Sequence, residues 1–309
     1  MPRGRKAETS DVKGVKLKKP AKYTIRPMTA PKQTLTTSDH DRERAGLRYV
    51  YPVVSRRAGG VSIGINLNPN NACNWACIYC QVPNLTRGGP PPLDIQRLES
   101  EFNTMLDDVQ FGDFMETQVA PDARKLMDIA FSGNGEPTSA PEFADAVALV
   151  TRIVRVRNLT DLKLRLITNG SLVQRSHVKK GLRLLAEADG EVWFKVDAVE
   201  PEQVLLLNGV HQKPGLALSR LKLCAGIAPT WVQTCMMSVD GRAPSEVQLS
   251  RYLELLAEVR GQIHGVLLYG LARTPMQPGA ERLAPLPVAW MEALGRRIED
   301  LGLPVQLSP

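Results

Sequence analysis

At 309 residues, with 43% hydrophobic and 23% charged side chains, the chain is long enough for one large domain or two ordinary ones. That balance excludes wholesale disorder. A net charge of +7 would ordinarily point to a nucleic acid or an anionic surface, but residues 1 to 48 hold thirteen basic and five acidic side chains, net +8, leaving the remainder at −1.

The first 48 residues read as a basic arm, mobile up to about His40, because they lack apolar periodicity and are dotted with Pro, Thr and Lys. Pro20, Pro27 and Pro31 oppose the amphipathic helix of a transit peptide, and no apolar core of a secretory signal is present. No run of about 18 apolar residues occurs, so no membrane span and a cytoplasmic location are expected. From Val61 on, short apolar runs alternate with helical patterns, the signature of β/α units around a parallel sheet. Strands are expected at 61–68, 127–133, 162–170, 191–198, 231–241 and 265–273, with a last short run at 304–308. Helices are expected from Asp94, over 142–157, around Val178 to Ala188, over 245–260 and over 288–302. The expected architecture is an α/β partial (β/α)6 TIM-like barrel over 49–309, with a basic, disordered N-terminal extension over 1–48. In such barrels ligands bind at the C-terminal ends of the strands.

Three of the five cysteines crowd into eight residues as Cys73-Asn-Trp-Ala-Cys77-Ile-Tyr-Cys80. In a cytosolic chain this clustering argues for a thiolate-ligated metal or cluster over disulfides. A structural zinc site wants four ligands, and no nearby His or Cys supplies the fourth. Three thiolates without a fourth describe an iron–sulfur cubane held at three corners, with one iron open.

Cys73-x3-Cys77-x2-Cys80, with Tyr79 before the last cysteine, resembles the C-x3-C-x-aromatic-C signature of the radical S-adenosylmethionine (radical SAM) superfamily. Gly133-Asn134-Gly135-Glu136-Pro137 follows the second strand, where that superfamily carries a Gly-Gly-Glu-Pro-type segment, here with Asn134 at the usual second glycine. Thr168-Asn169-Gly170 and Asp197 close the third and fourth strands. Tyr51 to Asn66, Gly135 to Thr138 and Lys195 to Ala198 look like the wyosine-synthetase-like branch, although Cys224 and Cys235 are too few for an all-cysteine second cluster.

The resemblance implies one [4Fe-4S] cluster on Cys73, Cys77 and Cys80, SAM as cofactor, and a 5′-deoxyadenosyl radical that abstracts a substrate hydrogen. It also implies that Gly133, Asn134 and Gly135 lie close to SAM, that Glu136 accepts from its ammonium, and that Tyr79, Asn169 and Asp197 meet its adenine or ribose side. An electron donor such as flavodoxin or ferredoxin is implied as a partner, with a tRNA base among the possible substrates.

Plainer readings stand beside these. The chain can be a non-catalytic basic-tailed nucleic-acid or zinc-binding module, Gly133 to Pro137 a simple turn, and Asp197 a cap of the following helix. Cys224 and Cys235 read as small buried apolar residues. Arg56, Arg57, Arg87, Arg273 and Arg282 flank strand ends and can form a cationic rim, or be ordinary surface residues.

Overall fold

The structure, a computed structural model, describes residues 34–36, 46–55 and 59–309. Most of the expected basic arm, and Arg56 and Arg57, lie outside the described residues.

In chain order, β1 (Val50–Ser55) and β2 (Gly60–Ile65) form an antiparallel pair, and β3 (Ala72–Cys73) and β4 (Thr86–Arg87) bracket the cysteine loop. Then follow α1 (Ile95–Phe111), α2 (Phe114–Gln118), β5 (Leu126–Phe131), α3 (Phe143–Val156), β6 (Lys163–Thr168), α4 (Ser176–Glu187) and β7 (Glu191–Lys195). The chain continues through α5 (Pro201–Asn208), α6 (Leu216–Ala225), β8 (Thr230–Met236), β9 (Ser238–Val239), α7 (Glu246–Val259), β10 (Gly265–Gly270), β11 (Leu283–Ala284), α8 (Val288–Glu299) and β12 (Val305–Ser308).

One sheet in the order β1-β2-β5-β6-β7-β8-β10-β12 curls into a half-barrel, and every pairing in it except β1 with β2 is parallel. The six expected strands are its middle, and β12 is the expected short run. β1 is an addition to the expected strands: it pairs with β2 from Val50↔Ile65 to Ser55↔Gly60. Its Tyr51 ring covers Gly64, where a Cβ would lie 2.1 Å from the ring. The pairing therefore depends on the missing side chain of Gly64.

Strand composition explains the two faces. β6, Lys-Leu-Arg-Leu-Ile-Thr, alternates, with Leu164, Leu166 and Thr168 buried. Arg165 and Ile167 point the other way, into a cavity. A parallel sheet packed on both faces would be apolar throughout, so the alternation already signals a concave face that is not filled by core. Outside, α3 and α4 cover the sheet, with Phe143 edge-on to Phe131 at 6.1 Å. Asp94 caps α1 by accepting from Arg97 N at 2.9 Å, and Ser245 with Gln248 forms a capping box on α7. Leu35, inside the segment assigned to the arm, is buried, and its N–H donates to the Gln118 carbonyl at 2.8 Å. Among the described residues no helix is long and apolar enough to cross a membrane.

Candidate active site

The C-terminal strand ends and the cysteine loop enclose a cavity of about 300 Å³, lined by Cys73, Cys77, Cys80, Tyr79, Gly133 to Glu136 and Asn169 among others. Residues from three separate parts of the sequence thus meet on one wall.

The cysteine loop is held by backbone. β3 pairs with β4, and Gly88 N donates to the Cys73 carbonyl at 3.0 Å. Ala76 N and Ile78 N donate to the carbonyls of Asn208 and Leu207, both at 3.0 Å. Those carbonyls belong to the last turn of α5, whose acceptors have no partner within the helix. Gly209 ends α5 in the left-handed region, and a Cβ there would lie 2.8 Å from the Ala76 carbonyl oxygen.

The glycines after β5 serve the same loop. A Cβ on Gly133 would lie 2.3 Å from Asn66 Oδ1, and one on Gly135 would lie 2.1 Å from the Ala72 carbonyl oxygen. The sequence reading gives these glycines close approach to a ligand. In the structure the space over them is filled by Asn66, Asn68 and Ala72, the chain leading into the cysteines. Asn134, at the position of departure from the family pattern, donates from Nδ2 to Asn71 Oδ1 at 2.6 Å and ties the two segments side chain to side chain.

Glu136 is buried and accepts four hydrogen bonds. Oε1 takes Thr138 N at 3.1 Å, Thr138 Oγ1 at 2.5 Å and Thr168 Oγ1 at 2.6 Å, while Oε2 takes Asn169 N at 2.7 Å. It clasps the end of β5 to the end of β6. Burial pushes its pKa up, against the pull of these donors. Asn169 extends the clasp, donating from Nδ2 to Asn74 Oδ1 at 2.9 Å and accepting Ser171 N on Oδ1 at 2.9 Å.

Asp197 is buried behind Tyr79 and does not line the cavity. Its Oδ1 accepts Cys235 N at 3.0 Å, and Lys195 Nζ lies 3.6 Å from that same oxygen. Oδ2 accepts the Tyr79 hydroxyl and Asn208 Nδ2, the latter at 3.3 Å. It does not cap α5, whose cap position is Glu200. Lys195 Nζ also donates to the Tyr269 hydroxyl at 2.9 Å and lies 5.0 Å from the Tyr79 ring centroid. Burial alone would lower the Lys195 pKa; Asp197, with Tyr269, Cys235 and Cys77, outweighs it and holds the ammonium charged.

Two donors reach the sulfurs. Trp75 N approaches Cys73 Sγ at 3.5 Å, and Asn208 Nδ2 approaches Cys77 Sγ at 3.4 Å. Burial pushes the Cys73 thiol up to about 12 and the Cys77 thiol up to about 11. Without a metal both remain protonated at neutral pH, and a bound iron would take the place of the proton. Among the described residues no three His, Cys, Asp or Glu side chains converge closely enough for a single ion. Three cysteine thiols lining one cavity are the donor set that an iron–sulfur cluster takes, one sulfur to an iron.

Cys224 and Cys235 are buried, and Cys235 also lines the cavity. Of the expected cationic rim, Arg273 lines the cavity, Arg282 pairs with Asp240 through Nε at 2.9 Å and Nη2 at 2.7 Å, and Arg87 is exposed. Reading the residues in order assigns no role to Asn208, Lys195 or Trp75. The only hint is positional, since Lys195 shares a strand end with Asp197 and Trp75 sits between cysteines.

No family model matches the chain. Among curated proteins it is 31% identical over 134 residues to a GTPase Obg of Brachyspira hyodysenteriae, covering 42% of this chain and 17% of that protein. It is 30% identical over 161 residues to a UPF0026 protein of Methanocaldococcus jannaschii, covering 52% and 44%. The chain therefore spans less than half the length of either relative. Among solved structures, a radical SAM methyltransferase from Sphaerobacter thermophilus superposes with a TM-score of 0.54 at 15% identity, over 80% of this chain and 66% of that one. The half-barrel thus shares its fold with that protein. At that identity the likeness speaks for the fold, and the chemistry rests on the residues.

Proposed function

We propose that the chain is a radical SAM enzyme of the cytoplasm, with its catalytic domain over 49–309 and the basic arm before it. The observation that carries this reading is the gathering of the Cys73, Cys77 and Cys80 thiols beside Gly133 to Glu136 and Asn169 at the C-terminal strand ends. Cys73, Cys77 and Cys80 would hold a [4Fe-4S] cluster, which would supply the electron for reductive cleavage of SAM and so the means to abstract a hydrogen atom from substrate.

The chain's own residues bind and orient. A carboxylate offers about four acceptor sites, and Oε2 of Glu136 takes a single protein donor, which leaves capacity for the SAM ammonium. Asn134 and Asn169 face the same cavity with amide groups. Tyr79 offers its ring there while its hydroxyl is held by Asp197, making Asp197 a positioning residue for the aromatic side chain. The N–H donors of Trp75 and Asn208 stabilise negative charge on sulfur and so favour the reduced state. The narrower likeness to the wyosine-synthetase-like branch, and with it a tRNA base as substrate, rests on the sequence segments alone.

Anaerobic reconstitution with iron and sulfide tests the proposal. The expected result is the visible absorbance of an iron–sulfur cluster, lost in Cys73→Ala, with release of 5′-deoxyadenosine from SAM upon reduction by dithionite. Zinc binding without SAM cleavage would overturn it in favour of the zinc-binding module. Loss of a specific modified nucleoside from tRNA in cells lacking the gene would identify the substrate.

A further inference from the structure

The function proposed above needs electrons from outside the chain, and the surface around the cysteine loop has the charge of a landing site for them. Two stretches of sequence, 44–93 and 203–239, carry no Asp or Glu, in a chain that has 32 such residues. The first contains the cysteine loop and the second the connection from α5 to α6. The fold puts them side by side, since Ala76 N donates to the Asn208 carbonyl and Ile78 N to the Leu207 carbonyl.

Three cations border this ground. Arg87 is exposed on β4, in register with Cys73, and is the one charged side chain between Gly59 and Leu93. Lys213 is exposed in the connection that starts at Gly209, which itself lies against Ala76. Arg220, on α6, borders a small recess with Trp75, Asn208 and Gln212. Desolvation pushes the Arg220 pKa down, with no carboxylate to oppose it. None of the three forms an ion pair among the described residues. By contrast Lys222, two residues beyond Arg220, is met by Glu258 at 3.0 Å, and Arg282 is met by Asp240 at 2.7 Å. Cations left uncompensated on either side of one loop make a positive surface that a negative one can meet. The cover over the first thiol is also thin. Gly88 N donates to the Cys73 carbonyl at 3.0 Å, and Thr86 to Gly89 are exposed. A Cβ on Gly89 would meet nothing within 4 Å, so no neighbour inside the chain requires a glycine there. Bare backbone at 88 and 89 lets a second protein come within one strand of Cys73.

We infer that this face docks an acidic one-electron carrier protein, with Arg87 on one side of the cysteine loop and Lys213 and Arg220 on the other. The inference rests on the radical reading, which supplies the need for an electron. The carrier is oxidised by one electron and the iron–sulfur site is reduced by one; no bond is made or broken and no proton moves. Three cations are fewer than the roughly six to ten phosphate contacts of a strongly salt-dependent nucleic-acid complex. They suit a protein partner that binds briefly and leaves, for which small, electrostatically steered interfaces are usual.

Calorimetric titration of the full chain, reconstituted and anaerobic, with an acidic flavodoxin as probe tests this, alongside the rates of cluster reduction by reduced flavodoxin and by dithionite. The expected binding weakens as salt is raised. Arg87→Glu combined with Lys213→Glu is expected to weaken it at least about tenfold and to slow reduction by flavodoxin, with reduction by dithionite unchanged. Arg155→Glu, exposed at the far end of α3, is expected to alter neither. The double variant is also expected to gain affinity for the basic carrier cytochrome c, a gain that misfolding cannot produce. Absence of flavodoxin binding, equal affinity in wild type and double variant, or an equal loss from Arg155→Glu would overturn the docking face. Tighter binding of polyuridylate than of flavodoxin through Arg87 and Lys213 would assign the face to nucleic acid and overturn it as well. SAM cleavage is scored separately: dithionite-driven cleavage without charge-dependent docking defeats the face alone, and docking without cleavage defeats the radical reading alone.

Discussion

Gly135 shows how little room the site leaves at the level of single atoms. Its missing Cβ makes space for the Ala72 carbonyl oxygen, which would stand 2.1 Å away, and for the amide of Asn68 at 2.7 Å. Neither neighbour can yield easily. Ala72 precedes the first cysteine, and Asn68 Nδ2 is bonded to the Ala72 carbonyl at 3.0 Å and to Ser139 Oγ at 3.1 Å. Gly135→Ala is therefore expected to displace the loop at a cost of about 1–3 kcal/mol, as overpacking does elsewhere. Chemical denaturation measures the first effect. Iron retained per chain after reconstitution measures the second, and unchanged values of both would refute this account of the glycine. The motif itself was visible in the sequence, because Gly, Glu and Pro stand together after a strand. What the glycine touches was not visible, since Ala72 is sixty-three residues away in the chain.

Among the elements, α5 does the most for the site and was the least legible. It is a short helix of eight residues with a weak apolar pattern, yet its last turn grips the cysteine loop through two carbonyls and presents Asn208 to a sulfur. Asn208 Nδ2 lies within 3.4 Å of Cys77 Sγ, 3.4 Å of the Tyr79 hydroxyl and 3.3 Å of Asp197 Oδ2. Asn208→Leu removes the only side-chain donor to Cys77 that is seen among the described residues. Its expected effect is a lower reduction potential for the reconstituted cluster, because hydrogen bonds to sulfur favour the reduced state. A redox titration followed by electron paramagnetic resonance would show it, and an unchanged potential would contradict it. The cysteine spacing was legible because its residues are neighbours in sequence. The partners of Asp197 were not: the resemblance implies a place on the adenine or ribose side of SAM, and only long-range pairing to Cys235 and Asn208 sets it behind Tyr79.

At the scale of the whole molecule, the alternation of short strands and helices sufficed to anticipate the parallel part of the sheet through β12, and it failed at the N-terminal edge. β1 pairs antiparallel by a hairpin that periodicity does not announce, and Leu35 docks from within a segment whose composition reads as unstructured. A single apolar residue in a basic run carries no period, so nothing local could single it out. Leu35→Ala is expected to lower stability by about 2–5 kcal/mol, the range for a large-to-small change in a core. Removing residues 1–33 is expected to leave both the melting temperature and SAM cleavage unchanged. Calorimetry on the two variants separates these outcomes, and a larger loss from the deletion than from the substitution would reverse the assignment.

The sheet ends at β1 on one side and β12 on the other, and among the described residues the two edges are not paired with each other. Tyr51, Val53 and Ser55 on one margin and Gly270 to Arg273 near the other both border the cavity. A closed barrel admits only what can be threaded through its mouth. A barrel with a seam can be straddled: a reacting group can enter sideways while the body it is attached to stays outside. On the function proposed above, the size limit would then fall on the inserted group and not on the molecule that carries it, so a flipped-out base or a protruding side chain of a large partner would be as admissible as a free metabolite.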